Sequence, residues 1–203
     1  MDLYLFDFDK TLYGYDSRRR LPALARLTGA SQYHLAKTWW AGGFEARAEA
    51  GEWPDADAYL AQWSTVTGTT LTLDGWQQAR RAAMTPLSGS IAAVERASGL
   101  GTVSLLSNNP GIFSDSFAVI APEVAPLIGP NTVTSCMLGV RKPSPLAYER
   151  ALAHFGASAS DTFFTDDNAA NVAAARAVGI HAHLVTDTAA LDAAITVFAG
   201  RTR

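Results

Sequence analysis

Asp7 and Asp9 stand two residues apart at the end of a short apolar run, Leu3 to Phe8, where both carboxylates can reach one space. Two carboxylates held that close resist double ionisation unless a cation lies between them or one keeps its proton. Asp166-Asp167 close a second run, Thr162 to Thr165, and add hard oxygen ligands. Oxygen-only ligation with few protein groups suits Mg²⁺. Ser107-Asn108 end a third run, Thr102 to Leu106, with neutral hydrogen-bonding groups, and Lys142 adds a fixed cation. Thirteen of the sixteen basic residues are Arg and three are Lys, so a lysine is an informative choice in this chain. Carboxylate, metal, hydroxyl and ammonium together make a receptacle for a phosphoryl group in transfer, where catalysis is mostly positioning and charge neutralisation.

Apolar runs of this length that stop at polar residues read as buried strands. A weaker strand is expected near Val133 to Met137 and another at His181 to Val185. Between them, Ser90 to Ala97, Pro145 to Phe155 and Asn168 to Val178 read as helices closed by Gly99, Gly156 and Gly179, and Ala189 to Phe198 as a last helix. Strands alternating with helices predict an α/β fold, a three-layer Rossmann-like parallel sheet with helices on both faces. Ligands of such sheets bind beyond the carboxyl ends of the strands, which is where the polar ends fall. Residues 15 to 86 break the alternation. They hold all five tryptophans, many alanines and no convincing strand, and are expected to form an all-helical insert. The α/β core is then residues 1 to 14 and 87 to 203.

Asp7-Phe8-Asp9-Lys10-Thr11, Ser107-Asn108, Lys142 in Arg141-Lys142-Pro143-Ser144-Pro145, and Asp166-Asp167 resemble, in order, the four motifs of the haloacid dehalogenase-like hydrolases, in their phosphatase branch. The resemblance covers the α/β part, and Asn168 to Gly179 is similar to the end of the fourth motif. It implies that Asp7 is the nucleophile, forming an aspartyl phosphate, and that Asp9 is the acid and then the base. It implies Mg²⁺ on the Asp7 carboxylate, the Asp9 main-chain carbonyl and Asp167, with Asp166 in a supporting place. Ser107 and Asn108 would bind phosphoryl oxygens, Lys142 would pair with nucleophile and phosphate, and Thr11, grouped with the substrate-binding residues, would fix the turn after the strand. Asn171 stands where many relatives have a second Asp, and Lys10 where Gly, Asn or His is common. The insert would be a mobile helical cap that selects the substrate, a small phosphorylated metabolite such as a sugar phosphate or nucleotide.

Composition narrows the alternatives. At 203 residues, 48% hydrophobic and 17% charged, the chain has enough apolar surface for a core and too few charges to stay disordered. A net charge of -3 argues against nucleic acid as a partner. The lone Cys136 suits a reducing compartment. The N-terminus lacks a signal-peptide pattern, and no run approaches a membrane span, so a cytoplasmic protein is expected. Oligomeric state is not legible. Singly, the Asp residues could cap turns or helices and Ser107-Asn108 could be an ordinary turn. The four histidines show no metal-ligand spacing, and Arg18 to Arg20 read as a solvated face. The rivals are a 2-haloacid dehalogenase, which needs neither metal nor an acid at position 9, a phospho-acceptor receiver module, which has no place for the insert, and a non-catalytic binding protein on the same fold. Of the tryptophans, most should form the insert's own core, with Trp39-Trp40 the better candidates to face substrate.

Overall fold

The computed structural model describes residues 1–201. Its strands are β1 (Leu3–Phe6), β2 (Tyr13–Tyr15), β3 (Met84–Pro86), β4 (Thr102–Ser107), β5 (Thr132–Thr134), β6 (Thr162–Asp166) and β7 (His181–Leu184). Five of them form a parallel sheet in the order β5-β4-β1-β6-β7, with β1 central and Leu5 opposite both Ser104 and Phe164. The helices are α1 (Ser17–Thr28), α2 (Gln32–Leu35), α3 (Phe44–Glu49), α4 (Ala56–Thr67), α5 (Leu73–Ala82), α6 (Ser88–Ser98), α7 (Gly111–Ile120), α8 (Ala125–Ile128), α9 (Ser135–Leu138), α10 (Pro145–Phe155), α11 (Ala169–Ala177) and α12 (Thr188–Ala199). No single described helix is long and apolar enough to cross a membrane.

The two faces of the sheet follow from alternation along each strand. Tyr4 and Phe6 join Leu105 and Phe163 in one apolar cluster, where α6, α7, α8 and α12 pack. Leu3 and Leu5 join Leu106 and Phe164 in the other, beneath α10 and α11. Local chemistry sets the helix ends. Pro145 opens α10 and Gly156, at φ 60°, closes it in the left-handed region, while Asn168 caps α11 by accepting from the Ala170 N–H. The expected three-layer α/β core is therefore observed. Two details differ. Val133 to Met137 is a strand only over Thr132–Thr134, where it pairs with β4, and then turns into α9, which Gly139 closes in the left-handed region at φ 65°.

The insert also differs from an all-helical one: its ends are strands, with β2 and β3 pairing antiparallel, Tyr15 opposite Met84. Three-residue strands are too short to show a period in sequence. Between them, five α-helices and a π-helical turn, Ala36–Trp40, surround a core of tryptophans. Trp39, Trp63 and Trp76 are fully buried, and the Trp39 indole donates to Glu45, so Trp39 serves packing, not substrate. An insert this small buries enough apolar area only with large side chains.

The insert packs against the α/β core. α4 and α5 pack on α7, and the apolar cluster of the sheet's first face continues into the interior of the insert. The Asp115 carboxylate accepts from the Ala56 N–H, and Gln77 donates to Ser116. At Gly111 a Cβ would meet the Pro54 carbonyl oxygen at 2.0 Å, so only glycine lets this loop of the insert lie so close. Glu49 on α3 pairs with Arg141, 2.6 Å away, just before Lys142. Burial pushes the Glu49 carboxyl up from 4.5 to about 7; neighbouring Glu45 adds to this and Arg141 opposes it. A carboxyl whose pKa is raised on folding gives stability that is present below its unfolded value and lost as pH climbs through the folded one. Glu49→Gln, which mimics the neutral form, should therefore melt higher than the wild type at pH 8 and no higher near pH 4.5. A difference independent of pH in thermal melts would contradict this.

Candidate active site

Beyond the carboxyl ends of β1, β4 and β6 lies a cavity of about 190 Å³, whose wall includes Asp7, Asp9, Ser107, Asn108, Lys142, Asp166 and Asp167. Fold topology brings together there every chemistry-bearing residue expected from sequence except Thr11, which is fully buried behind it. Asp7 follows β1 directly, its main-chain N–H bound to Thr165 O of β6. The chain then makes one tight turn, with Leu12 N–H to Phe8 O and Lys10 N–H to Tyr13 O. Lys10, at φ 63°, is the one non-glycine residue with positive φ among the described residues. That explains why Gly or Asn would suit the position, and backbone strain of this kind gathers at functional sites.

Lys142 is the hub. Its Nζ donates to Asp7 Oδ1 at 2.7 Å and to Asp166 Oδ2 at 2.6 Å, in a slot from which water is almost excluded. Ser107 Oγ donates to the same Asp7 Oδ1 at 3.0 Å, while Thr11 approaches Oδ2 at 3.5 Å. One Asp7 oxygen, Oδ1, is thus pinned by two donors, while Oδ2 has only the long contact from Thr11. Burial pushes the Asp7 carboxyl up to about 6; the Lys142 ammonium pulls it down, and Asp166 and Asp9 push it further up. Burial alone would lower the Lys142 ammonium, but Asp7 and Asp166 outweigh it and raise it. Asp167 is raised by burial and by Asp166, against Lys10 and Lys142. Lys10, whose place in the site was unexplained from sequence, therefore contributes positive charge near Asp167.

The supporting residues divide the work in ways the sequence did not reveal. The Asn108 carboxamide is engaged at both ends with Lys142, accepting from its N–H and donating to its carbonyl, each at 2.9 Å. It holds the lysine's backbone in place. Asp166 accepts from Lys142, from Asn171 Nδ2 at 2.9 Å and from the Asn168 N–H at 2.8 Å. Asn171 is thus a neutral donor that orients Asp166. Asn109, next to the recognised pair, donates to Ser107 Oγ at 2.9 Å. Arg80 of α5 was not anticipated: its Nη2 lies 2.7 Å from both oxygens of Asp9. No local signal marks it, since it is 71 residues from Asp9 in a stretch without readable motifs.

A family model for haloacid dehalogenase-like hydrolases matches residues 1–179. The chain belongs to that family. Solved structures of similar fold include a haloacid dehalogenase-like family enzyme from Bacteroides thetaiotaomicron in complex with magnesium and inorganic phosphate, at 17% identity and TM-score 0.74 over 91% of this chain and 93% of that one. The L-2-haloacid dehalogenase of Xanthobacter autotrophicus with chloropropionic acid covalently bound is 16% identical, with TM-score 0.60 over 91% and 77%. A phosphatase of this family from Thermococcus onnurineus is 15% identical, with TM-score 0.63 over 92% and 86%.

This haloacid dehalogenase-like hydrolase has a donor set that fits a divalent metal. Carboxylate oxygens of Asp7, Asp166 and Asp167 lie within 4.8 Å of one another. Both oxygens of Asp166 are held by donors at 2.9 Å or less, whereas Asp7 Oδ2 has only the long 3.5 Å contact from Thr11, so that oxygen and Asp167 are the freer ligands. Burial first, and then the neighbouring Asp166, raises the Asp7 and Asp167 carboxyls, and a hard cation between them would oppose that rise.

Proposed function

We propose that the protein is a Mg²⁺-dependent phosphatase acting on a small phosphomonoester through an aspartyl phosphate on Asp7. The observation that carries this reading is Asp9 on the cavity wall beside Asp7, with Lys142 bonded to the nucleophile. An alcohol leaving from phosphorus needs a proton, whereas a leaving halide does not. Asp7 attacks phosphorus, the bond to the leaving oxygen breaks, and Asp9 protonates that oxygen. Water then attacks the phosphorus of the aspartyl phosphate, Asp9 takes its proton, and phosphate departs as the bond to Asp7 breaks. Lys142 and Ser107 keep the nucleophile oriented throughout. Bound at Asp7 and Asp167, with the Asp9 carbonyl, Mg²⁺ would supply charge neutralisation for the phosphoryl oxygens. Four carboxylates, Asp7, Asp9, Asp166 and Asp167, face three cations, Lys10, Arg80 and Lys142, so a phosphate dianion adds to an existing negative excess.

The cavity is smaller than the roughly 300–1,000 Å³ typical of small-molecule pockets. It suits the phosphoryl head of a small phosphorylated metabolite, with the remainder reaching toward the cap. The lone free Cys136, buried, accords with a cytoplasmic setting.

Phosphate release from sugar phosphates, nucleotides and p-nitrophenyl phosphate tests this reading. EDTA should abolish it, Mg²⁺ should restore it, and Ca²⁺, with its longer and looser ligation, should not. EDTA-insensitive halide release from 2-haloacids, without phosphate release, would overturn it.

A further inference from the structure

Arg80 is almost fully buried although it belongs to the cap and not to the sheet. Its guanidinium lies 4.7 Å from the Tyr15 ring, 5.5 Å from Phe113 and 5.9 Å from Phe8. A buried guanidinium is costly without a counter-charge, and the carboxylate it meets is Asp9. A single nitrogen, Nη2, reaches both Asp9 oxygens at 2.7 Å and approaches Asn109 Oδ1 at 3.4 Å, while Nε has no partner. One donor between two oxygens limits rotation of the carboxylate. Asn109 continues the chain of contacts through Ser107 to Asp7. The cap guanidinium is therefore joined to the nucleophile through two intervening side chains, as well as touching its proton partner directly.

We propose that Arg80 is a positioning residue for Asp9, holding the ionised carboxylate in the orientation that receives a proton from water during hydrolysis of the aspartyl phosphate. This rests on the phosphatase reading. In that step water oxygen bonds to phosphorus, the bond from phosphorus to Asp7 breaks, and the proton passes from water to Asp9. The ion pair suits this half of the reaction and not the first, in which Asp9 carries the proton it donates. Because Arg80 rides on α5, the proton-accepting apparatus is complete only with the cap docked.

Pre-steady-state hydrolysis of p-nitrophenyl phosphate with Mg²⁺ separates the two halves. p-Nitrophenolate leaves without needing a proton, so its burst reports attack by Asp7, and the steady-state rate reports hydrolysis of the intermediate. Arg80→Ala should keep a burst rate within about 3-fold of the wild type, while its steady-state rate falls by about 10²-fold, the scale of a misplaced catalytic group. Added guanidinium ion should restore part of the slow phase. Arg80→Lys, which keeps a buried cation with one nitrogen, should show the same split at smaller amplitude, and it serves if Arg80→Ala does not fold. Equal loss in both phases, or no loss in either, would show that Arg80 only packs the interface and would overturn the proposal. A folded wild-type protein that releases no phosphate from any phosphomonoester with Mg²⁺ would overturn the phosphatase reading itself, and this inference with it.

Discussion

Asp7→Asn should abolish phosphomonoester turnover, by at least about 10⁴-fold, while leaving the protein folded. An amide is a poor nucleophile, and losses of a covalent nucleophile fall on this scale or above it. The same change removes a buried negative charge whose carboxyl is already pushed up to about 6, chiefly by burial. Lys142 would retain Asp166 as counter-ion at 2.6 Å. Thermal stability at pH 8 should therefore be no lower than that of the wild type. Single-turnover kinetics and melting curves on the same sample provide the check: full single-turnover activity would exclude Asp7 as nucleophile, and loss of the fold would refute the charge argument.

Removing Lys142 should have the opposite effect on stability. Its ammonium is the shared partner of two buried carboxylates, Asp7 and Asp166. In Lys142→Met those charges would face each other without a cation, and breaking a buried pair of this kind costs about 3–5 kcal/mol. Turnover should fall by more than about 10³-fold, the worth of a preorganised charge at the reacting centre. The stability loss should shrink as pH falls from 8 to 5, since protonating Asp7, whose carboxyl burial already pushes up to about 6, relieves the repulsion. Lys142→Arg should also be impaired, because the closed slot between Asp7 and Asp166 is filled by a compact ammonium and the larger planar guanidinium is not its equivalent. Melts at the two pH values with the apo protein, and kcat/KM with Mg²⁺, check both parts. A stable, active Lys142→Met would contradict the central place given to this residue.

Much of this architecture is legible in the residues themselves. Leu3 to Phe6, Thr102 to Ser107 and Thr162 to Asp166 are buried almost without interruption because both faces of a parallel sheet are covered. Their polar ends announce the site because the chain direction places those ends together. What sequence hides is pairwise. Nothing in Arg80-Arg81 says that the first is buried against Asp9 and that the second is not in the site. Trp39 and Trp40, adjacent in sequence, part company: Trp39 is enclosed, while Trp40 is half-buried on a cavity of about 390 Å³ shared with Tyr15 and Arg20. Arg20 itself is buried, with Tyr15 and Glu45 as partners, so only part of Arg18 to Arg20 is the solvated face that a charge run suggests. Asn108 lies on the cavity wall as expected, but sequence gives no sign that its carboxamide is held at both ends by the Lys142 backbone. Short strands, helix faces and side-chain partners all depend on contacts distant in sequence, and periodicity carries no record of them.

The β2–β3 ribbon makes the two halves of the molecule separable pieces of chain. Tyr15 and Met84 are opposite each other on one rung, so residues 16 to 83 leave and return across the width of a single strand pair. A tight hairpin turn could close that gap, which makes the rung a natural splice point for shortening the protein or exchanging this segment for another. The pieces would not divide the chemistry evenly. Asp7, Ser107, Lys142 and Asp166 all lie outside the splice, as does Asn109. Arg80 lies inside it, so a new segment grafted there would bring its own partner for Asp9, or none, and with it a different pace for the second half of the reaction.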